Sequence, residues 1–245
     1  MTSFMIFDLY GPISAFGDVA VGEYRPAYSH PSKSSIIGLI AASLGIDRKN
    51  EEELQSLSFS LNVGVLVVSS GHLLRDFHTV QVPSSSGLKG LPHSTRRDEL
   101  LAKDLNTITS SRDYRTDAYY RIAVWCPTGT YSLDTLKEAL EKPRYVPYLG
   151  RKSCPPALPF KPELIEAENI IQALRGYSQN MCWIKQLIGS TGTKNFELYT
   201  ETRIEGRENE VFKVSRRDRL ISRRAWQYGE REEILQFVGG NDVFE

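Results

Sequence analysis

LNVGVLVVSSGHLLRDFHTVQV, residues 61 to 82, changes character halfway along. In its first part Leu61, Val63, Val65 and Val67 alternate with their neighbours, the period-two pattern of a half-buried strand. In its second part RDFHTVQV, residues 75 to 82, still reads as a strand, but a polar one. The apolar alternation resumes only at Tyr120, Ile122 and Val124, which mark another half-buried strand. A compact domain rarely leaves so long an interval without structure. Residues 69 to 118 are therefore predicted to be an insertion with a structure of its own. Ser84-Ser85-Ser86-Gly87 interrupts the polar strand and TITSSRDYR, residues 107 to 115, returns it. The insertion reads as a projecting, basic, partly mobile β-hairpin.

Upstream, FMIFDLY at 4 to 10 is nearly all apolar and stops at Gly11-Pro12, which suits a buried strand and a turn. Ile36, Ile37, Ile40, Ala41 and Leu44 recur at helical spacing between Pro31-Ser32 and Gly45, so Lys33 to Leu44 is predicted to be a helix. Downstream, Leu133, Leu136, Ala139 and Leu140 form a second helical stripe that ends at Pro143, which cannot continue a helix. The order approaches β-α-β-β-α-β, the ferredoxin-like plan that RNA-recognition motifs also use. The expected class is α+β: residues 1 to 165 as one such domain, and residues 166 to 245 as a small β-rich C-terminal subdomain. The second part holds a helix-like run from Ala167 to Leu174, a Gly/Ser/Thr break at 189 to 193 and strand-like FELYTETR at 196 to 203.

With 245 residues, 40% of them hydrophobic, the chain can bury a substantial core. Lys plus Arg and Asp plus Glu both number 30, so any nucleic-acid site depends on local segregation of charge. No stretch approaches the roughly 18 apolar residues of a membrane span, and MTSFMIFDLYG lacks a basic leader, so a cytoplasmic protein off the membrane is expected. Cys126, Cys154 and Cys182 stand far apart and read as reduced structural thiols. His30, His72, His78 and His93 show no metal-ligand spacing, no carboxylate cluster suggests a two-metal site, and no cofactor is implied. Hydrolase, P-loop and dinucleotide motifs are absent from the sequence.

Three segments carry the chemistry that remains. KPRYVPYLGRKSCP, residues 142 to 155, interleaves Arg144, Arg151 and Lys152 with Tyr145, Tyr148 and Gly150. Such a loop can meet phosphates with its cations and with glycine backbone while tyrosines stack on unpaired bases. The same residues also fit an ordinary surface turn with buried tyrosines. Ser32, Lys33, Ser34 and Ser35 open the first helix, where free N–H groups favour an anion, although Ser32 also suffices as a simple cap. Arg216, Arg217, Arg219, Arg223 and Arg224, with one Asp218 among them, form either a phosphate-tracking patch or a solvated face answering the acidic run at 201 to 210. His78, His30, Tyr28 and Lys33 keep open metal-free RNA cleavage, which needs only a general base and a general acid.

GPISAFG at 11 to 17, RPAYSHPSKSSIIGLIAASLGI at 25 to 46, RDFHTV at 75 to 80 and PRYVPYLGRKSCP at 143 to 155 occur in that order. On these blocks the chain resembles the CasD family, the CRISPR-associated subunit of type I-E Cascade within the repeat-associated mysterious protein superfamily. The likeness runs through most of residues 4 to 155 and is looser beyond, mainly at the final Arg-rich region and Trp226. It implies a modified RNA-recognition fold with a thumb hairpin, and a non-catalytic subunit that binds the crRNA 5′ handle and caps the crRNA-bound backbone. Its implied partners are that handle, the backbone subunit CasC, the large subunit CasA and, through the assembled complex, target DNA. Handle contacts carried over by the resemblance are Arg25, His30, Lys33 and Ser34 near the first helix, and Arg144, Tyr145, Tyr148, Gly150, Arg151 and Lys152 in the glycine loop. Arg112 and Arg115 fall at the thumb base, and Arg75 and His78 where the thumb begins. Relatives in type I-C systems cleave precursor crRNA with Tyr, Lys and His residues, and this chain does not match that constellation clearly. It departs from the CasD pattern between Val82 and Thr107 and is longer at 189 to 210.

Overall fold

The computed structural model describes residues 1–90, 94–189, 194–202 and 211–244. The chain opens with β1 (Thr2–Tyr10), passes two short strands, β2 (Ile13–Ser14) and β3 (Tyr24–Arg25), and enters α1 (Lys33–Leu44). Ser32 Oγ caps α1 by accepting from the Ser35 N–H at 3.1 Å, and Gly45 ends it at φ 82°, as their residue types predict. Next come α2 (Glu51–Ser60), β4 (Asn62–Ser69), β5 (His72–Pro83), α3 (Arg96–Glu99), β6 (Leu105–Thr116), β7 (Tyr119–Trp125) and α4 (Leu133–Glu141). Then follow β8 (Glu163–Ala167), α5 (Ile170–Gly176), α6 (Met181–Ile188), β9 (Asn195–Thr200), β10 (Val211–Ser222), β11 (Gln227–Gly239) and α7 (Gly240–Phe244). Among the described residues no helix is long and apolar enough to cross a membrane.

The fold is α+β around one seven-stranded sheet ordered β10-β11-β9-β4-β7-β1-β8. Its central part, β4-β7-β1-β8, is antiparallel throughout. That is the pairing a β-α-β-β-α-β chain adopts when each helix crosses back over the sheet. On one face Met5, Phe7 and Leu9 of β1 pack with Ile36 and Ile40 of α1, and with Leu136 and Leu140 of α4. On the other face Phe4, Ile6 and Trp125 pack with Ile170 and Leu174 of α5 and with Val243 of α7.

The second core corrects one expectation. The two strands read as half-buried are buried on both sides, because α5, α6 and α7 cover the face that alternation left to solvent. β9 to β11 extend the same sheet beside β4. A buried ion pair fastens the C-terminal part. Asp8 and Arg121 face each other across β1 and β7, with Nε to Oδ1 at 2.9 Å and both side chains fully buried. Arg121 also donates to the carbonyls of Tyr177 and Gln179 at 3.0 and 3.1 Å, and Asp8 accepts from Tyr119 and Asn180 at 2.7 and 3.1 Å. A buried pair is tolerable only when its remaining donors and acceptors are met in this way.

The insertion at 69–118 is a hairpin of two twelve-residue strands, β5 and β6, in unbroken register from His72↔Thr116 to Pro83↔Leu105. At about 3.4 Å per residue it reaches on the order of 40 Å. It is not the basic arm expected: residues 69–118 hold seven Lys and Arg against six Asp and Glu. Two of its five arginines are answered locally, Arg75 by Asp113 and Arg96 by Glu99. Among the earlier readings, His93, most of the Gly/Ser/Thr break at 189–193, Arg203 and residues 203–210 of the acidic run lie outside the described residues.

Candidate nucleic-acid interface

The start of α1 is held by an internal carboxylate. The Lys33 backbone N–H donates to Asp218 Oδ2 of β10 at 2.8 Å, and Lys33 Nζ donates to Glu201 Oε2 at 2.7 Å. Arg231 of β11 clamps Asp218 at 2.8 and 2.9 Å and reaches Glu233 Oε1 at 2.9 Å. Glu233 in turn meets His30 Nε2 at 2.9 Å and Arg216 at 3.5 Å. His30 is fully buried, stacked on Tyr199 with ring centroids 3.6 Å apart, and set edge-on to Tyr28. Burial pushes its pKa down against the opposing pull of Glu233. The neutral ring therefore gives its Nε2 proton to Glu233, and its Nδ1 accepts from Ser29 Oγ at 3.2 Å. Burial pushes Glu233 up, but the hydrogen bond from His30 and the nearby Arg216 and Arg231 outweigh it and bring the carboxyl to about 2.

His30 and Lys33 thus build the wall behind the site, each bonded to a carboxylate of the chain. Both ring nitrogens of the fully buried His30 are bonded within the chain, and the Lys33 ammonium is paired with Glu201.

The glycine loop is anchored by its apolar residues. Leu149 is buried and exchanges backbone hydrogen bonds with Ala15 at 2.9 Å and Cys154 at 2.7 Å. Gly150 has φ 87°, and a Cβ there would lie 2.0 Å from the Ala15 carbonyl oxygen. Its glycine is therefore required by the chain's own backbone rather than by an approaching ligand. The anchor leaves Tyr145, Val146 and Tyr148 exposed at 48%, 85% and 41%. The Arg144 stem lies over Gly45, and Lys152 is exposed. Arg151 points elsewhere: its guanidinium covers the Tyr114 ring at 4.6 Å and donates to the Asp113 and Arg25 carbonyls at 3.4 and 3.5 Å.

Arg151 therefore belongs to a second group at the hairpin base. There Arg75 Nε donates to Asp113 Oδ1 at 2.9 Å and Nη2 donates to Tyr24 Oη at 2.8 Å, while Tyr24 itself donates to Asp113. β3 lies parallel to β6, pairing Tyr24 with Ser111 and Arg25 with Arg112. Arg25 and Arg112 are exposed, Arg115 is half-buried, and His78 contacts the neighbouring Asp76.

Between α1, the glycine loop, residues 15–20 and the β10–β11 hairpin runs a cleft of about 950 Å³. Of the residues singled out from the sequence as contacts, Ser34, Tyr148 and Gly150 line it. Gly38, Arg217, Arg223 and Trp226 are among the lining residues that were not among those contacts. The arginine run held the signal for two. Strand alternation sends Arg216 and Asp218 inward and leaves Arg217 and Arg219 outward, so of the five arginines Arg216 is lost to the interior. Arg217 Nε donates to the Tyr228 carbonyl at 3.1 Å, and Arg223 Nη1 donates to Tyr228 Oη at 2.6 Å.

The arrangement combines guanidinium groups, exposed aromatic rings and a hydroxyl-lined helix start, the groups that hold phosphate and unpaired bases. Tyr28, His30 and Lys33 are tied into the buried network, while His78 stands on the hairpin. Among the described residues no group of three or more His, Cys, Asp or Glu could hold a metal ion.

A family model described as CRISPR-associated protein (Cas_Cas5) matches residues 4–233. The chain is 31% identical over 252 residues to the CRISPR system Cascade subunit CasD of Escherichia coli (strain K12), covering 99% of each. A solved CRISPR RNA-guided surveillance complex contains a chain of 24% identity that superposes with a TM-score of 0.63, over 96% of this chain and 89% of that one. A second structure, a Cas protein crystal structure, gives 22% identity and a TM-score of 0.61 over 99% and 98%. The two structures support the fold.

Proposed function

Because the chain belongs to the Cas5 family of CRISPR-associated proteins, we propose that it is a non-catalytic RNA-binding subunit of a Cascade-type surveillance complex in the cytoplasm. In this role it holds the repeat-derived 5′ handle of crRNA and caps the crRNA-bound backbone. It adjoins CasC-type and CasA-type subunits and supports guide-directed recognition of target DNA. The observation that carries the reading is the cleft, where the serines of α1, the exposed Tyr148 and the Arg217–Arg223–Trp226 edge of the β10–β11 hairpin face one channel. Its contents suit a single-stranded backbone with splayed bases. The second cluster, Arg25, Arg75, Arg112, Arg115 and Arg151 at the hairpin base, suits the continuation of the same strand toward the guide.

The test is retention and cleavage of end-labelled precursor repeat RNA, with and without EDTA. Handle-containing RNA is expected to be retained uncut, with affinity falling steeply as salt rises and falling further in Arg144→Glu and Arg151→Glu. Unchanged affinity in both variants overturns the site assignment. EDTA-resistant cutting at one position by the chain alone would make it the metal-independent processing endoribonuclease instead.

A further inference from the structure

Two residues in the cleft are poor choices for the chain itself. Trp226 sits in the β10–β11 turn at φ 54°, a backbone conformation that a bulky residue adopts at a cost and that glycine or asparagine would accept more readily. Its ring is 61% exposed, so core packing does not require it. Gly38 lies within α1, where glycine is less favourable than alanine, yet a Cβ there would meet nothing within 4 Å. Unlike Gly150, Gly38 is not forced by the fold. Both residues border the same cleft, and neither is demanded by core packing or by the local backbone.

The surroundings indicate what the two residues serve. The Arg223 guanidinium covers the Trp226 ring at 4.1 Å and is fixed by its 2.6 Å bond to Tyr228 Oη, so the indole is presented from a braced support. Ser34 and Ala42 continue the small surface of α1 on either side of Gly38. On the RNA-binding reading, on which this inference rests, we propose that Trp226 is a stacking platform for one unpaired base. The sugar-phosphate backbone of that nucleotide runs across α1 at Gly38, where the missing side chain allows close approach. Arg217 and Arg223 supply the cations beside it. Stacking of this kind is tolerant of base identity, so the subsite sets register along the strand rather than sequence.

The experiment measures binding of the full-length chain to labelled single-stranded repeat RNA, and to versions each carrying one abasic position. Trp226→Gly suits the local backbone and is expected to unfold no earlier than the wild type while losing roughly 5- to 100-fold in affinity. Trp226→Phe is expected to keep most of it. One abasic position should cost the wild type a similar factor and cost Trp226→Gly nothing more. Gly38→Gln should weaken binding without lowering the unfolding temperature. If Trp226→Gly binds all the RNAs as the wild type does while Arg217→Glu binds them weakly, stacking is overturned and RNA binding in the cleft stands. If the wild type holds repeat RNA no better than a scrambled strand, the RNA-binding reading falls and takes the platform with it.

Discussion

The two long hairpins both carry arginines, and they put them to different use. β5–β6 pairs chiefly with itself and leaves both faces largely open, so the Arg75 side chain stays 56% exposed even while bonded to Asp113. β10–β11 is sewn to β9, and its inner face turns toward α1. There Arg231 is 10% exposed and holds two buried carboxylates. The residue type is the same, but sheet membership decides whether an arginine is a structural clamp or a group available to a partner. The sharpest way to break this comparison is to remove each arginine in turn. Arg231→Met leaves Asp218 and Glu233 buried with their main cation gone, and should cost about 3–5 kcal/mol in urea unfolding. Arg75→Met removes the main cation of the buried Asp113 but leaves it the Tyr24 hydroxyl, and should cost clearly less than Arg231→Met. Equal effects would mean that the network around Glu233 is no more structural than this half-exposed pair.

Acid separates the hairpins next. His30 has its pKa lowered by burial from 6.5, so the unfolded chain takes up its proton first and stability declines as pH falls through 6.5. Glu233 has a folded pKa of about 2 against 4.5, so its contribution is present above 4.5 and is lost as pH falls toward 2. That contribution is on the order of 3 kcal/mol. Both groups lie in the β10–β11 network and share one hydrogen bond, so the two windows are coupled, and His30→Gln should flatten the upper one and also make the lower one shallower. Unfolding midpoints from pH 8 to pH 3 check this, and a profile that is flat down to pH 4.5 in the wild type would contradict the buried neutral histidine.

Much of the fold was legible in the sequence because its signals are local. The cap at Ser32, the stop at Gly45, the stripe of α4 and the polar strands of the insertion each depend on neighbours a few residues away. The second core was not legible. Whether Phe4, Ile6 and Trp125 are covered depends on α5 and α7, more than a hundred residues away from β1. The site was half legible for the same reason. Composition marked the glycine loop and the arginine run, but only tertiary pairing reveals that His30, Lys33 and Arg216 face inward and that Trp226 and Gly38 border one cleft. Family resemblance named residues without separating those that face solvent from those that build the scaffold.

The two glycines refine the distinction between what the fold needs and what a ligand needs, with smaller expected effects. Gly150→Ala forces a side chain at φ 87° against the Ala15 carbonyl, and should destabilise the chain by roughly 1–3 kcal/mol from strain alone. Binding would then weaken only because Leu149 and Tyr148 shift with the loop. Gly38→Ala should do the reverse. A methyl group there meets open space, and replacing a helical glycine by alanine is worth about 0.5–1 kcal/mol, so the unfolding midpoint should rise. A rise in stability together with weaker RNA retention would mean that the glycine is kept for the cleft at the expense of the helix. A rise with retention unchanged would free Gly38 of any role in binding and leave Trp226 to carry the subsite alone.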